Sequence, residues 1–450
     1  MQQERSRMLG EMKMGKLVAK ISIPIMISML VQALYNIVDG IFVARYSADG
    51  FTAVSLVMPI QMLMIAVSTG LGVGINSLVS RRLGEKRSEE ARKAACNGVL
   101  LELIGSAAFC IFGLFVAKPF MKVFTPDPAL QQMGGEYLSI VTVFSFGLFS
   151  AIVFERLMQA TGNSMYSMAT QLTGALMNII LDPIFIFVFD MGVAGAAVAT
   201  ILGQMGSMLL GLYLNQHKNK ELRLTFRDFC PDRKIIGDIL TVGFPSIIMQ
   251  SISSVMNVLM NMILLAYGNT PVNVLGVYFK LQSFVFMPVF GLSNGLVAIV
   301  GYNYGAHNKK RVYESIRVAL KLAGGIMLAG MLVFMLFPGL LLSLFEADGA
   351  SDLTRLGKLA LRIISINFLP AAVGITLSTV FQAIGKGVYS LLMSICRQLV
   401  VLVPAAWLLS RLGGPEAVWW CFPLSEILAL ILCLFLFRHI DRKMLRTLGE

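Results

Sequence analysis

The sequence predicts an all-α polytopic membrane protein with twelve transmembrane helices in two six-helix lobes. Three observations support this fold class: an apolar composition, a one-sided distribution of basic residues among the loops, and an internal repeat. The 450-residue chain is 56% hydrophobic and 14% charged, with a mean hydropathy of +0.76. Soluble domains carry about 25% charged residues, so the composition indicates an integral membrane protein.

Twelve apolar windows are long enough to cross a bilayer, which takes about 20 residues per helix. An isolated strand cannot cross lipid with its backbone groups unpaired, so all twelve are predicted to be helical. The first apolar run is too long for the core of a cleavable signal peptide. The spans run roughly over residues 17–44, 52–78, 94–116, 135–160, 165–188, 193–215, 236–267, 274–302, 317–344, 358–384, 388–410 and 417–437.

Basic residues concentrate in the loops on one side of these spans. Of the 37 Lys and Arg residues, 27 lie in loops on one side, 7 in loops on the other, and 3 within or at the ends of spans. The positive-inside rule then places both termini in the cytoplasm of a multi-pass membrane protein. The net charge of +12 is explained by topology, so we expect no nucleic-acid partner.

The chain also repeats itself. Residues 158–162 read MQATG and residues 381–385 read FQAIG, an offset of 223, and three further pairs share an offset of 221: Pro24 with Pro245, Gly84 with Gly305, and Pro183 with Pro404. Two six-span halves entering the membrane in the same direction are related by a pseudo-twofold axis along the membrane normal. We expect a cytoplasmic tail over 1–16, an N-lobe over 17–215, a linker over 216–235, a C-lobe over 236–437 and a cytoplasmic tail over 438–450.

Two acidic residues fall inside apolar spans of the first half. Asp39 lies well inside the first span and Asp182 lies in the fifth, directly before a proline. A carboxylate in hydrocarbon costs several kcal/mol, which makes each a candidate functional site. The corresponding residues of the second half are Met260 and Val403. This asymmetry predicts ion coupling in the N-terminal half alone, although Asp182 could instead be hydrated near a helix end.

Polar side chains accompany both acids at helical spacing. In the first span Gln32, Tyr35 or Asn36, and Asp39 share one face, and Pro24 predicts a kink. In the fifth span, Gln171, Asn178 and Asp182 share a face in the same way. Two acids in a dry bundle favour one shared proton.

Other polar residues within spans allow two interpretations each. Gln250, Asn257 and Asn261 share one face of the seventh span and either join helices or line a cavity. Lys280 and Arg397 should pair or face water, because a buried cation is costly. Six cysteines are scattered, mostly in apolar spans, and we expect free buried thiols: Cys96, Cys110, Cys230, Cys396, Cys421 and Cys433. No catalytic, nucleotide-binding or zinc-binding motif is present, so we expect no enzyme, no cofactor and an ion gradient as the energy source.

Taken together, these residues resemble the multidrug and toxic compound extrusion (MATE) transporters over nearly the whole chain. The resemblance rests on the two six-helix halves, Pro24 and Asp39, the block from Asn178 to Pro183, and the paired Gln-Ala-x-Gly loops. The prokaryotic DinF-like branch with its MepA-type pumps fits best, because the membrane acids cluster in the first half. The resemblance implies V-shaped lobes and antiport of organic cations against protons or sodium.

The resemblance also implies roles for individual residues. The ion-coupling network would be Tyr35, Asp39, Asn178, Asp182 and Thr200, with Pro24 as the bending point of the first helix. Sodium could bind at Asp39, Asn178 and Asp182, and no other metal is expected. Gln32, Met62 and Glu155 would neighbour the substrate cavity, and the residue pattern adds Asn36, Asn257 and Lys280 as candidates. An acid at Glu155 departs from the family pattern; it could attract cationic substrates, or pair with Lys280 or Arg156.

The sequence therefore predicts a secondary active multidrug efflux antiporter, a monomer that exports small amphipathic organic cations in exchange for protons or sodium. The alternative is a flippase for lipid-linked precursors on a related two-lobe scaffold, which would need a cationic central cavity to hold pyrophosphate. Lys280 and Arg397 support that alternative only weakly against two acids in the first half. A membrane-embedded enzyme would need a catalytic constellation near one interface, and none is found.

Overall fold

A computed structural model of the protein describes residues 4–225, 229, 231–345 and 352–448. Within these residues the chain is helical and has no β-strand. The α-helices are α1 Glu4–Glu11, α2 Met14–Tyr46, α3 Ala48–Gly84, α4 Ser88–Phe115, α5 Ala117–Phe124, α6 Pro128–Val143, α7 Phe146–Ala160, α8 Ser164–Pro183, α9 Gly192–Lys218, α10 Arg233–Leu265, α11 Asn269–Gly305, α12 Lys309–Leu336, α13 Pro338–Ser343, α14 Asp352–Ser365, α15 Phe368–Ala383, α16 Gly387–Ile395, α17 Val403–Val418 and α18 Cys421–Ile440. Three π-helical segments, Ile184–Val188, Cys396–Leu402 and Asp441–Leu445, and one 3-10 helix, Lys220–Leu222, interrupt or extend them.

Twelve spans are assembled from these helices, which confirms the predicted fold class. Ten spans are single long apolar helices or helices continued through a π-helical segment. The fourth span consists of α6 and α7, bent by 45°, and the tenth of α14 and α15, bent by 47°. The predicted end of the ninth span at residue 344 is wrong, because α12 ends at Leu336 and α13 begins at Pro338. Proline has no N–H to continue a helix and clashes with the preceding turn.

Side-chain caps fix where several of the long helices begin. Ser47 accepts a hydrogen bond from the Gly50 N–H (3.1 Å) before α3, and Asp232 accepts one from the Lys234 N–H (2.8 Å) before α10. Each bond satisfies one of the four backbone donors that a helix N-terminus leaves unpaired. No disulfide joins two cysteines of the described residues, and Cys230 lies outside them.

The pseudo-twofold relation between the halves is visible in how glycines pack against the opposite half. A Cβ built at Gly70 on α3 would lie 2.7 Å from the backbone N of Ile247 on α10. A Cβ built at Gly291 on α11 would lie 2.7 Å from the Cα of Met26 on α2. Gly291 follows Gly70 by 221 residues, and Ile247 follows Met26 by the same number. Such reciprocal contacts are what a twofold axis produces.

A second reciprocal contact lies where α3 and α11 end. A Cβ at Gly84 would lie 2.0 Å from the carbonyl oxygen of Tyr302, and a Cβ at Gly305 would lie 2.1 Å from that of Arg81. The two helices therefore touch backbone to backbone, which only glycine permits at this distance. The repeated pair of glycines in the sequence marks the place where the halves close on each other.

Polar contacts between the halves end near the middle of the spans. Thr69 donates a hydrogen bond to Gln250 Oε1 (2.8 Å), and the Asn294 amide contacts the sulfur of Met29 (3.7 Å). From these residues toward Tyr46 on α2 and Leu265 on α10, no hydrogen bond or close glycine contact in the described part of the chain joins the halves. The halves are thus joined at the end that carries the basic loops.

Helix α2 takes part in both halves. Its first part, including Leu17 and Ile25, packs in the same hydrophobic cluster as Tyr278 and Phe286 of the second half. Its last part reaches Val43, which belongs to a cluster of the first half. Pro24 is buried in the first part and removes one helix hydrogen bond there, yet α2 remains continuous across it.

Candidate functional site

The two predicted acids of the first half meet between neighbouring helices. Asp39 projects from α2 and Asp182 lies at the end of α8, directly before Pro183 and the π-helical segment. Their carboxyl groups lie within hydrogen-bond reach of each other. Asp182 is completely buried and Asp39 is partly buried. Two carboxylates this close repel each other unless a proton or a cation lies between them.

Asn178 links the acid pair to a third helix. Its amide nitrogen lies 3.3 Å from Asp182 Oδ1, one turn further along α8, and 3.3 Å from the hydroxyl of Thr200 on α9. Tyr35 lies one turn before Asp39 on α2 and is close enough to both acids to interact electrostatically with them. The structure thus brings together the five residues that the sequence and the family resemblance predicted as one network.

Three oxygen atoms of this network lack a hydrogen-bond donor. Asp39 Oδ1, Asp182 Oδ2 and Asn178 Oδ1 are buried, and none accepts a hydrogen bond from a described residue. Buried polar atoms without partners are rare in native proteins. Carboxylate and amide oxygens suit a hard cation, and the carboxylates also suit a proton. In the described part of the chain no cluster of three or more His, Cys, Asp or Glu side chains could hold a metal ion.

A cavity of about 180 Å³ lies beside the network in the first half. Its polar lining includes the predicted Gln32, Tyr35, Glu155, Asn178 and Thr200. The acids Asp39 and Asp182 do not themselves line it, so Tyr35 and Asn178 separate the cavity from the acid pair. A solute in the cavity and an ion at the acids would therefore both contact Tyr35 and Asn178.

Glu155 is the carboxylate in the lining of this cavity. It is 8% exposed and accepts a hydrogen bond from Gln171 Nε2 (2.6 Å). Arg156 instead donates to Gln159 Oε1 (3.0 Å). Neither of the ion pairs considered for Glu155, with Arg156 or with Lys280, is formed in the structure. The partner is Gln171 because α7 and α8 pack against each other after a tight turn.

Four other predicted cavity residues lie elsewhere. Asn36 and Met62 are exposed and line neither this cavity nor the cavity of the second half, although Asn36 directly follows Tyr35. One residue along an α-helix rotates a side chain by about 100°, so Tyr35 and Asn36 cannot both face inward. Asn257 lines a cavity in the second half. Lys280 is exposed, with its Nζ 5.8 Å from the centroid of the Phe345 ring.

Sequence reasoning missed two features near the site. Glu102 on α4 is 1% exposed and accepts a hydrogen bond from Ser68 (2.8 Å). An acid within the third apolar span was visible in the sequence and was the signal that could have found it. Tyr137 on α6 accepts a hydrogen bond from Gln61 (3.1 Å) and lies near both Asp39 and Tyr35. Nothing in the sequence distinguishes Tyr137 from other buried aromatic residues.

Known proteins resemble this chain over almost its whole length. The multidrug export protein MepA of Staphylococcus aureus is 26% identical over 428 residues, covering 93% of this chain and 92% of MepA. An outward-facing structure of a multidrug resistance MATE transporter of the MOP superfamily has a TM-score of 0.93 at 29% identity, covering 99% of each chain. A MOP superfamily transporter from Pyrococcus furiosus, described as having a binding pocket of reversed polarity that suggests a different function, matches with the same TM-score, identity and coverage.

The family model described as MatE matches residues 24–184 and 245–408. The two matched segments begin at the repeated prolines of α2 and α10, and together they cover more than half of the chain. MatE proteins are membrane transporters and not enzymes. On this match, and with the fold and acid pair described above, the chain belongs to the MatE family of multi-pass transporters.

Proposed function

We propose that this protein is a secondary active multidrug exporter that exchanges small amphipathic organic cations for protons, with sodium as the alternative coupling ion. It would act as a monomer in the bacterial plasma membrane, with both termini in the cytoplasm and no cofactor. Its N-lobe would span 17–215 and its C-lobe 236–437, joined by the linker 216–235. The basic loops would then face the cytoplasm, and the described conformation would open toward the outside.

The observation that carries this proposal is the set of three unpaired oxygens around the acid pair. A site with Asp39, Asp182 and Asn178, in which three oxygens have no donor among the described residues, attracts positive charge. The site lies on the part of α2 beyond the last polar contact between the halves. An ion from the outside would therefore reach it in the described conformation and lose access once the halves close there.

Ion binding and drug binding would be coupled through the residues between the acids and the cavity. Protonation or sodium binding would remove the repulsion between Asp39 and Asp182 and allow Asn178 and Tyr35 to rearrange. Helix α2 would bend at Pro24, where one backbone hydrogen bond is already missing. Ion and drug need only differ by a few kcal/mol in their affinities for the two states to drive the exchange.

The substrate class follows from the cavity of the first half and from the relatives. The cavity is lined by the carboxylate of Glu155, the guanidinium of Arg156, the ring of Tyr35 and apolar side chains. The acid and the ring suit the cationic group of an amphipathic substrate, and the apolar side chains suit the rest of it. MepA is named a multidrug export protein, which supports a broad substrate range for this chain. The flippase alternative needs a cationic cavity. Lys280 lines neither cavity, Arg397 lies against an acid, and Arg156 lines its cavity together with the acid Glu155.

The test uses purified protein in liposomes loaded with ethidium, with a pH gradient or a sodium gradient imposed separately. We expect ethidium to move under the pH gradient, and we expect Asp39→Asn and Asp182→Asn each to reduce that movement at least tenfold. The matched control is Asp49→Asn, an exposed acid in the first turn of α3, which should behave as wild type.

The possible outcomes separate the alternatives. Ethidium movement under the sodium gradient alone would support the proposed exporter but identify sodium as the coupling ion. Full coupled movement in Asp39→Asn would refute the assignment of the acid pair. Absence of movement under both gradients would favour the flippase, and scrambling of a fluorescent lipid-linked phosphate by the same vesicles would then be measured.

A further inference from the structure

The second half contains a larger cavity of about 360 Å³. It lies among α10, α11, α15, α18 and the π-helical segment Cys396–Leu402, and its volume is within the range of about 300–1,000 Å³ that small-molecule sites occupy. Five aromatic rings line it: Tyr278, Phe279, Phe286, Phe290 and Phe422. Ser253 is exposed and Phe290 is 41% exposed, so the cavity reaches an accessible surface.

The same cavity is lined by two opposite charges. Arg397 Nη1 lies 3.4 Å from Glu426 Oε1, and the side chains are 23% and 9% exposed. This contact is the single ion pair and the single hydrogen bond that either side chain makes in the described part of the chain. A guanidinium carries five N–H donors in a fork that matches a carboxylate in two parallel bonds. Most of its donors therefore remain available within the cavity.

Two further polar groups of the lining are unpaired. Tyr278 is 1% exposed and Asn367 is 6% exposed. The hydroxyl lies close to the Asn367 side chain. Yet the hydroxyl and Asn367 Oδ1 make no hydrogen bond of good geometry with each other or with any other described residue. An apolar cavity with a few unpaired polar groups has the composition of a ligand site rather than of a packing defect.

The charged pair is not part of the repeated scaffold. In the equivalent helices of the first half, α8 contains no basic residue and α9 contains no acidic residue, so the fold itself does not need the charges. A loosely bonded buried ion pair contributes little to stability relative to apolar residues. Arg397 also lies in a π-helical segment, a distortion that often accompanies functional sites.

We propose that this cavity is a second ligand site, specific for aromatic zwitterions that carry a carboxylate and an ammonium group. The carboxylate binds the free guanidinium donors of Arg397, the ammonium binds Glu426, and the aromatic part packs against Phe279, Phe286 and Phe422. The inference goes beyond the exchange of cations proposed above, because it concerns other residues in the other half and needs no coupling ion.

Charge compensation explains why a zwitterion is preferred. A cation bound to Glu426 would withdraw that acid from Arg397 and leave the arginine uncompensated, and an anion bound to Arg397 would do the same to Glu426. Leaving one member of a buried pair without a partner is strongly unfavourable. A zwitterion replaces the pair between Arg397 and Glu426 with two pairs, one between Arg397 and the ligand carboxylate and one between Glu426 and the ligand ammonium. Neither side chain is then left without a partner. Rejection of singly charged ligands by this penalty is a common basis of specificity.

Three dansyl compounds provide a matched test. Nε-dansyl-lysine is a zwitterion, dansylcadaverine is the same molecule without the carboxylate, and dansyl-aminohexanoic acid is the same molecule without the ammonium. Each is titrated against the purified full-length protein, and dansyl fluorescence reports binding. We expect the zwitterion to bind at least tenfold more tightly than dansyl-aminohexanoic acid, and we expect the double variant Arg397→Leu/Glu426→Met to reduce its affinity at least tenfold.

Controls separate this site from the cation site of the first half. The double variant replaces both charges with apolar side chains, and its thermal unfolding is measured to establish that it folds. The double variant should bind dansylcadaverine with the same affinity as wild type. Glu155→Gln should lower the affinity for dansylcadaverine and leave the affinity for the zwitterion unchanged. The exchanged pair Arg397→Glu/Glu426→Arg should retain zwitterion binding. Equal zwitterion affinity in the wild type and the double variant would overturn the proposal, whatever the transport assay shows.

Discussion

Replacing Gly84 or Gly305 with alanine should open the contact that joins the two halves. A methyl group at either position would lie 2.0 or 2.1 Å from a backbone carbonyl oxygen of the opposite half, whereas ordinary contacts are 3.4–4 Å. The helices must therefore separate locally by about 1 Å or more. Backbone atoms cannot move aside as a flexible side chain can.

The expected magnitude follows from the cost of overpacking, which is typically about 1–3 kcal/mol. This strain is present only while α3 and α11 touch, so it changes the equilibrium between closed and separated ends by about 5- to 150-fold. The two variants should have effects of similar size, because the contacts at Gly84 and Gly305 are reciprocal. Unequal effects would show that the pseudo-twofold relation does not govern this contact.

The separation is measured with spin labels at Glu89→Cys and Lys310→Cys in a cysteine-free background, since both side chains are exposed near the contact. We expect the distance distribution to gain a longer component in Gly84→Ala and in Gly305→Ala. Gly324→Ala on α12 is the matched control, because a Cβ there meets no atom within 4 Å. A wild-type distribution in both glycine variants would refute the reasoning.

Three further outcomes follow from the same contacts. Pro24→Ala should restore a hydrogen bond in α2 and slow coupled ethidium movement. The equilibrium affinity for ethidium should stay within about threefold of wild type. Unchanged transport would exclude Pro24 as the bending point. The ion pair between Arg82 and Asp238, at 3.6 Å with both side chains partly exposed, should show a coupling below about 1 kcal/mol in a double-mutant cycle of unfolding. Asp232→Ala, which removes the cap of α10, should lower the free energy of unfolding by about 1 kcal/mol, and an unchanged melting temperature would contradict this.

Much of the fold could be predicted because the membrane restricts what a sequence can do. Apolar length and loop charge identified the twelve spans, and repeated residues such as Gly84 and Gly305 identified the twofold relation. The bends within the fourth and tenth spans were not predicted. Their apolar windows are continuous, whereas the bends depend on how α6 and α15 pack against their neighbours.

The candidate site was predictable only within each helix. Periodicity correctly placed Asn178 and Asp182 on one face of α8. That Asp182 lies near Asp39 was expected because removing each carboxylate from water is costly, and two buried acids can share one proton. Periodicity could not choose between Tyr35 and Asn36, because the choice depends on which side of α2 the other helices cover. For the same reason it could not identify Gln171 as the partner of Glu155, which needs the packing of α7 on α8.

The two halves share a scaffold and differ in how they treat buried charge. In the first half Asp39 and Asp182 lie together, and each has one buried oxygen without a donor among the described residues, so the proposed site would need a proton or a cation to remove their repulsion. In the second half Arg397 and Glu426 already compensate each other, so their cavity is neutral and need not exchange an ion to bind a ligand. Under the two proposals, the unbalanced acid pair of the first half would couple to an ion gradient, and the balanced pair of the second half would select ligands. The shared six-helix scaffold would then supply the symmetry for alternating access, and the few buried positions that differ would give the two halves different tasks.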